Sequence, residues 1–300
     1  MTEIPFVREI EFEHGACDQV SPGIRRVIAD NPGPFTYTGT GTYIIGSGNV
    51  AVVDPGPLDD AHLAALDKAL AGDTVTHILI THTHMDHSPA AAPLKAKTGA
   101  KTYGFGPHGG QGDSKVEEGG DRDFVPDVTL AHGDVVEGDG WSVEAVHTPG
   151  HTSNHLCFAY REEKALFSGD HVMGWSTSVI SPPDGNMTDY MASLRLLLGR
   201  DDEIFWPTHG PPITDPKPFV EAFIAHRTER EEQIMGCLKG DLRYIPAMVK
   251  VMYADVPEYL HPAAALSVKA HLEHMIDTGR VVASPPNDTM PTLYTAVTQR

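Results

Sequence analysis

The sequence has few basic residues, few cysteines and no long apolar run, and each shortage excludes a class of protein. Its 300 residues include 22 Lys and Arg against 41 Asp and Glu, which gives a formal net charge of −19. A protein whose main task is to bind nucleic-acid backbones needs the opposite balance. Metal ions would add local positive charge, so an anionic substrate remains compatible with this composition.

The three cysteines, Cys17, Cys157 and Cys237, lie far apart and form no CxxC pair. This argues against a disulfide framework and gives no support for thiolate ligation of a metal. The first residues, MTEIPFVREIEFE, are acidic where a signal peptide carries a basic patch and an apolar segment. No stretch reaches the roughly 18 apolar residues of a membrane span. The sequence therefore predicts a cytoplasmic protein with no membrane segment.

Histidine, by contrast, is abundant, and its densest cluster is the most informative feature of the chain. The run His82-Thr83-His84-Met85-Asp86-His87 places three of the 17 histidines and one carboxylate within six residues. Imidazole and carboxylate are ligands for zinc, iron and manganese. Four side chains this close together cannot all reach one tetrahedral ion without severe backbone bending. Two ions that share the run are the easier geometry.

Three more side chains that can bind metal follow apolar segments elsewhere in the chain. His151, Asp170 and His209 each come just after a predicted strand, as the run 82–87 does, and α/β proteins usually build their sites at such positions. Seven ligands suit two ions, so we predict three imidazoles on one ion, two imidazoles and a carboxylate on the other, and Asp170 as the bridge. The first set is His82, His84 and His151; the second is Asp86, His87 and His209.

Two ions held in this way have a defined chemistry. Water shared by two metals about 3.5–4 Å apart becomes a hydroxide near neutral pH, and the ions polarise the scissile group. Asp86 and Asp170 are the candidate catalytic residues, because they would orient the hydroxide and handle its proton as well as bind metal. Asp54 also ends a predicted strand, and hydrogen bonds to the 82–87 turn fit its position better than direct ligation.

Four other residues are candidates for contact with substrate, and each has a structural alternative. His155 follows His151 closely, so it either contacts substrate or orients a ligand. His171 comes directly after the bridging carboxylate, although strand alternation would turn it away from the metals. Trp175 and Tyr190 are candidates for the pocket wall, but aromatic side chains at such places are more often in the core.

The order of predicted elements indicates the fold. Strands, a helix, strands and a helix occur twice, which predicts an αββα sandwich of the α/β (α+β) class rather than a parallel Rossmann sheet. The composition changes at the Pro-rich segment 211–216. We therefore predict a catalytic domain over 1–218 and a C-terminal domain over 219–300.

The C-terminal domain has the pattern of a winged helix. It begins with a long amphipathic helix, continues with two further helical segments and ends with two short strands. These segments are 219–238, 245–253, 263–278, 280–282 and 292–297.

The seven ligand positions, in this order and spacing, resemble those of the metallo-β-lactamase superfamily. The resemblance covers roughly residues 20–215 and rests on five separate motifs. It implies the αββα fold, a dinuclear zinc site and, usually, hydrolase activity.

The C-terminal region resembles the lactamase-like branch that carries a C-terminal winged helix. Members of this branch include a mitochondrial single-strand endoribonuclease and many bacterial hydrolases of unassigned substrate. The matching positions lie in three short N-terminal motifs and in the long helix. They are Asn31-Pro32-Gly33-Pro34, Thr40-Gly41-Thr42-Tyr43, Asp54-Pro55-Gly56-Pro57, His226, Arg227, Arg230, Glu231, Gln233 and Ile234.

The expected function is therefore that of a dinuclear zinc hydrolase, with two Zn²⁺ per chain and iron or manganese also compatible with the ligands. A metal-bridging hydroxide would attack a small ester, thioester, lactone or lactam. The alternative within the branch is cleavage of single-stranded RNA. Residues 219–300 carry 8 Lys and Arg against 10 Asp and Glu, which is little positive charge for binding nucleic acid.

A second alternative is a nucleic-acid-binding or scaffold protein in which the metal is structural. Seven ligands argue against it, because structural zinc sites are usually closed sites with four ligands. We expect a small-molecule substrate as the partner of the catalytic domain. We expect the winged helix to pack beside the mouth of the site or to mediate a homodimer.

Overall fold

The computed structural model describes residues 3–109, 119–286 and 291–297. A seven-stranded sheet forms one half of its centre. The strands are β1 (Cys17–Ser21), β2 (Ile24–Ile28), β3 (Gly41–Ile45), β4 (Asn49–Val53), β5 (Thr74–Leu79), β6 (Lys101–Gly104) and β7 (Val128–Thr129). They lie side by side in chain order, antiparallel from β1 to β4 and parallel from β4 to β7. The β3–β4 hairpin turns at Gly46 and Gly48, which both have positive φ.

A five-stranded sheet forms the other half. Its strands are β8 (Val135–Glu137), β9 (Ser142–His147), β10 (Leu156–Tyr160), β11 (Ala165–Gly169) and β12 (Ile204–Pro207). The spatial order is β12-β11-β10-β9-β8, and only the β11–β12 pair is parallel. β10 and β11 are buried along their whole length, which explains why apolar residues predominate in both strands.

The two sheets pack face to face. Tyr43 and Leu79 of the first sheet and Phe158 and Phe167 of the second belong to one buried cluster between them. Each such side chain contributes roughly 1.5–3 kcal/mol when it is fully removed from water. This cluster is the central layer of the molecule.

Helices cover both outer faces. The first pair is α1 (Asp60–Ala69) and α2 (Ala91–Thr98), and the second is α3 (Met187–Leu198) and α4 (Pro216–Lys239). Leu66 and Leu94 of the first pair pack against the seven-stranded sheet, and Leu194 and Phe223 of the second pair pack against the five-stranded sheet. The layers are therefore helix, sheet, sheet, helix, and the predicted αββα sandwich is confirmed.

The C-terminal region has a separate core. It consists of the second half of α4 with α5 (Ile245–Met252), α6 (His261–Asp277), β13 (Val281–Ser284) and β14 (Leu293–Ala296). The two strands form an antiparallel hairpin, as the winged-helix pattern predicts. Because α4 packs on the catalytic layers with Phe223 and on the C-terminal core with Ile234, one helix joins both parts. The boundary at residue 218 remains a prediction.

Two further contacts connect the C-terminal region to the catalytic layers. Thr188 of α3 lies 2.9 Å from Nδ1 of His274 and donates a hydrogen bond to Asp277, both on α6. The winged helix thus packs on the catalytic layers. Among the described residues, no helix has both the length and the apolar character that a membrane crossing requires.

Helix α3 was not predicted from the sequence, although a local signal marks its start. Asn186 accepts a hydrogen bond from the backbone N–H of Asp189 at 3.0 Å and so caps the helix. Asparagine is among the preferred residues at this position because its side chain satisfies a free N–H of the first turn. The short strands β1, β2, β6, β7 and β8 also had no clear pattern.

Candidate metal centre

The seven predicted ligands come together at one end of the sandwich. They lie on four loops that follow β5, β9, β11 and β12. Every one of these side chains is at least nine-tenths buried. Their ligand atoms form three overlapping groups, and within each group the atoms lie within 4.8 Å of one another. The groups are His82, His84 and His151; His82, His87 and Asp170; and Asp86, His87 and His209. The seven side chains are called the ligand cluster below.

Three imidazoles form one side of the ligand cluster. Nε2 of His82 lies 3.0 Å from Nδ1 of His84, and that same nitrogen lies 3.2 Å from Nε2 of His151. Burial, followed by the charges of neighbouring histidines, lowers the pKa of His82 and His84 well below the usual value. These two rings are therefore neutral and can offer a lone pair to a cation.

Two imidazoles and a carboxylate form the other side. Oδ2 of Asp86 lies 3.1 Å from Nε2 of His209 and 3.3 Å from Nε2 of His87. Burial opposes protonation of His209, but Asp170 and Asp86 together raise its pKa to about 10. Burial likewise opposes ionisation of Asp86, whose pKa His87 and His209 nevertheless hold well below the usual range. A metal bound here would displace the histidine protons.

Asp170 lies between the two sides. Its Oδ1 is 3.6 Å from Nε2 of His87, and its Oδ2 is 3.4 Å from Nε2 of His209 and 3.9 Å from Nε2 of His151. One carboxylate thus faces ligand atoms of both sets, which is the position expected of a bridge.

The donor atoms fit metal ions. Nε2 of His87 and Oδ1 of Asp170 are buried and have no hydrogen-bond partner within the described residues. Buried polar atoms in proteins are nearly always satisfied, and a cation bound by this nitrogen and this oxygen would satisfy both. The nitrogen and oxygen ligands suit zinc, iron or manganese.

The Nδ1 atoms of His151 and His209 point away from the centre and contact backbone carbonyl oxygens. Nδ1 of His151 lies 2.7 Å from the carbonyl oxygen of Val179, and Nδ1 of His209 lies 3.2 Å from that of Gly39. A carbonyl accepts only, so each of these nitrogens carries the proton. Once a metal displaces the proton from Nε2 of His209, Nε2 of each of these two rings would present its lone pair to the centre, as in metal-binding histidines generally.

Asp54 lies directly behind His87. Its Oδ2 is 2.9 Å from Nδ1 of His87 and also accepts hydrogen bonds from the hydroxyls of Thr81 and Thr208. Its Oδ1 accepts from the backbone N–H of Thr81 at 2.7 Å. Asp54 belongs to none of the three metal-binding groups. Its contacts are those of a residue that orients a ligand.

A close backbone approach positions His151. Gly150 has φ +139°, and a Cβ atom at this residue would lie 2.4 Å from Cα of Tyr190. Glycine is therefore required where the loop after β9 passes α3. This explains the glycine in the sequence Thr148-Pro149-Gly150-His151.

A cavity of about 40 Å³ opens onto the ligand cluster; it is called the first cavity below. Trp175 lines it and stacks on Tyr37 with ring centroids 4.6 Å apart. Of the four residues predicted to contact substrate, Trp175 is the one that lines this cavity. Phe35, Met173 and Val179 add apolar wall.

The other three candidates lie behind the wall. His155, His171 and Tyr190 are completely buried. Nε2 of His155 accepts a hydrogen bond from the backbone N–H of Asp170 at 3.2 Å, and the hydroxyl of Tyr190 donates to the carbonyl of His171 at 2.8 Å. For His155 the structure favours the alternative of orienting a ligand. For His171 and Tyr190 it favours packing.

Several residues of the centre were not predicted from the sequence. Thr40 donates a hydrogen bond to Oδ2 of Asp86 at 3.0 Å, and Thr81 and Thr208 bind Asp54. Single threonines carry no sequence signal of such a role. Only their position beside the carboxylates reveals it.

Comparison with known protein families gives two matches. The model described as the metallo-beta-lactamase superfamily matches residues 37–209. The model described as the beta-lactamase associated winged helix domain matches residues 245–285. Together they cover most of the catalytic layers and half of residues 219–300.

Individual relatives agree with these matches. The chain is 33% identical to a beta-lactamase-like protein 2 homolog of Drosophila melanogaster, over 91% of this chain and 94% of the relative. It is 32% identical to an atrochrysone carboxyl ACP thioesterase of Claviceps purpurea, over 74% of this chain and 67% of the relative. Among solved structures, a beta-lactamase domain protein from Burkholderia ambifaria has a TM-score of 0.78 at 21% identity and covers 94% of each chain. This last likeness concerns the fold alone.

Proposed function

This chain belongs to the metallo-β-lactamase superfamily and is a hydrolase of that family, and from this premise we propose that it is a dinuclear zinc enzyme acting on a small ester, thioester, lactone or lactam. The observation that carries the proposal is the position of Asp170. Its two oxygens face nitrogens of both predicted ligand sets. A site for a single ion would not need a carboxylate between two such sets.

Each part of the ligand cluster has a role in this proposal. His82, His84 and His151 would hold one ion, and Asp86, His87 and His209 the other. When bound, two such ions supply an acidified water and polarise the scissile carbonyl. Burial opposes ionisation of Asp86 and Asp170, but nearby histidines hold the pKa of both well below the usual range, so both carboxylates are ionised at neutral pH. As ionised carboxylates they would orient a water molecule by accepting its hydrogen bonds.

The first cavity supports a substrate with an apolar group beside its carbonyl. Its wall combines Phe35, Trp175 and Val179 with the polar cluster, which is the usual composition of a small-molecule site. The relative from Claviceps purpurea is named as a thioesterase for an acyl carrier protein. Within the proposed range of substrates, this name supports thioesters.

The test is a hydrolysis screen on metal-loaded, metal-stripped and zinc-reconstituted protein. The panel contains thioesters, lactones, β-lactams and a single-stranded RNA. We expect turnover of at least one small substrate, its loss on stripping and its return with zinc. Metal analysis by mass spectrometry should give two equivalents per chain. Full activity of stripped protein would refute the metal mechanism, and turnover of RNA alone would replace the small-molecule proposal.

A further inference from the structure

A second cavity of about 390 Å³ lies beside the first. The two adjoin because they share five lining residues: Pro34, Phe35, Ser176, Thr177 and Val179. The far side of the second cavity is formed by α4, by α6 and by the segment between α5 and α6. The ligand cluster is thus at one end of a longer groove that lies between the catalytic layers and the C-terminal helices.

The walls of the second cavity differ in character. One side is apolar and includes Val256, Leu260 and Ala264. The α4 side carries two arginines, Arg227 and Arg230. In a chain with a net charge of −19, two cations beside the candidate active site are a specific local feature rather than a property of the whole surface.

Arg227 is buried, and none of the described carboxylates is its counter-ion. It is 4% exposed, and its Nη2 donates a hydrogen bond of 2.6 Å to the carbonyl of Ser178. Its guanidinium lies 5.2 Å from the ring centroid of Tyr190. Its Nε has no partner, and no carboxylate oxygen in the described part of the chain forms an ion pair with it. A buried charge left in this state is costly unless a ligand compensates it.

Arg230 lies one turn further along α4 and is half-buried. Its guanidinium covers the ring of Tyr253 at 5.0 Å, and its Nη1 donates to Gln233. It too forms no ion pair among the described residues. Burial, followed by the charges of both arginines, lowers the pKa of neighbouring His226 to about 4. That ring is therefore neutral near pH 7, so the positive charge of this wall comes from the arginines.

The loop 176–180 connects these arginines to the ligand cluster. The carbonyl of Ser178 accepts from Arg227, and the carbonyl of the next residue, Val179, accepts from His151 at 2.7 Å. Consecutive peptide groups thus hold a cation of the second cavity and a predicted metal ligand. A molecule with its scissile bond at the ligand cluster would extend past this loop toward the arginines.

We propose that the second cavity binds an anionic group, a phosphate or a carboxylate, on the leaving-group arm of the substrate, through Arg227 and Arg230. Guanidinium groups bind both anions by paired hydrogen bonds. The leaving-group arm is the part of the substrate that is released when the bond at the ligand cluster is cleaved. The inference therefore rests on the proposed hydrolase function. It narrows the substrate class to compounds with a charged arm.

The experiment compares one acyl group on three thiols. Coenzyme A carries phosphates, glutathione carries carboxylates, and pantetheine is neutral. The variants are Arg230→Gln and, as a control on the same helix, Lys239→Gln, whose side chain is exposed. For wild type we expect a KM at least about tenfold lower for one charged arm than for the pantetheine thioester, since a hydrogen-bonded charge pair discriminates to that extent. The charged arm with the lower KM identifies the anion.

Arg230→Gln should raise the KM for the thioester with that charged arm about tenfold and change its kcat little. The KM for the pantetheine thioester should stay the same. Lys239→Gln should behave as wild type. Equal KM values for all three arms in wild type would overturn the inference. An equal rise in the KM for the pantetheine thioester in Arg230→Gln would also overturn it. So would an effect of Arg230→Gln that is confined to cleavage of single-stranded RNA.

A binding measurement separates this inference from the proposed function. Coenzyme A or glutathione, whichever is preferred, is titrated calorimetrically into metal-stripped protein alongside pantetheine. We expect binding of the charged thiol that Arg230→Gln weakens about tenfold and Lys239→Gln leaves unchanged. Because the stripped protein has no activity under the proposed function, a failure of hydrolysis does not affect this result. Absence of binding, or binding equal to that of pantetheine, would overturn the anion subsite alone.

Discussion

Oδ2 of Asp54 and Nδ1 of His87 lie 2.9 Å apart where neither side chain is more than 1% exposed. Asp54 has φ +46°, in the left-handed region that costs a non-glycine residue on the order of 1–3 kcal/mol. The hydrogen bonds from Thr81 to both of its carboxylate oxygens hold it there. The strained backbone thus places a carboxylate directly behind a predicted metal ligand.

Replacement of Asp54 tests this arrangement. Asp54→Asn keeps the shape but removes the charge that orients and polarises His87. We expect zinc affinity to fall about 10- to 100-fold, as for other residues that support a metal ligand, while the fold is retained. Competition with a chelator measures the affinity, and circular dichroism monitors the fold.

The matched control for this experiment is Asp59→Asn. Asp59 caps α1 by accepting from the backbone N–H of His62, and asparagine can replace it there. This variant should bind zinc as wild type does. Unchanged zinc affinity in Asp54→Asn would contradict the role given to Asp54.

Removal of a ligand from either side should abolish hydrolysis. His151→Ala and Asp86→Ala each remove one ligand from a different predicted set, so each should lower bound zinc by about one equivalent per chain. Loss of a metal-site group typically removes several orders of magnitude of rate. Native mass spectrometry and the hydrolysis assay measure the two effects. The control is His132→Ala, which replaces an exposed histidine. If His151→Ala or Asp86→Ala kept two equivalents of zinc per chain and normal turnover, the replaced residue would not be a metal ligand.

A methyl group at Gly150 should disturb both stability and activity. Its Cβ would lie 2.4 Å from backbone Cα of Tyr190, and φ +139° is unfavourable for alanine. We expect Gly150→Ala to lower the free energy of unfolding by about 1–3 kcal/mol and to reduce turnover, because His151 is the next residue. Gly236→Ala has open space in α4 and should be neutral or stabilising. Denaturant unfolding compares the two, and equal stabilities would contradict the close approach.

The pKa of His226 predicts an effect of acid on stability. Burial, then Arg227 and Arg230, lower it to about 4 in the folded protein, against about 6.5 when unfolded. Below pH 6.5 the unfolded chain therefore binds a proton that the folded protein does not. The free energy of unfolding should fall as the pH decreases from about 6.5 to about 4. In His226→Gln the free energy of unfolding should fall less over this pH range than in wild type.

This comparison uses metal-stripped protein, because acid would also displace metal from the ligand cluster. Urea unfolding at several pH values between 7 and 4 gives the slope for wild type and variant. Identical slopes would show that His226 takes up its proton at the same pH in both states.

Much of the fold was predictable because burial leaves a local trace in the sequence. β10 and β11 are mainly apolar segments, and α4 begins and ends within three residues of the predicted helix. The shorter elements β6 and β7 were not predictable. Their few residues pair along the edge of the first sheet, so their conformation depends on neighbouring strands rather than on their own pattern.

The buried face of α4 shows contacts that the sequence pattern does not reveal. Phe223, Arg227, Glu231 and Ile234 all lie on it, so two charged residues interrupt an otherwise apolar stripe. Their helical spacing places both charges on this face but does not show which groups lie against them. The structure places Arg227 in the second cavity and pairs Glu231 with Arg280 at 2.6 Å, contacts that residues distant in the chain provide.

The sequence alone determined which side chains are available to a metal, because each follows an apolar strand and strand ends converge at one end of a sandwich. Only the tertiary structure decided which atoms meet. It places Asp170 between both ligand sets, links Asp54 to a histidine 33 residues away and buries His155 behind the wall. The spacing of residues in the sequence shows which side chains lie at a strand end. Their contacts and their exposure to solvent depend on the packing of segments that are distant in the chain.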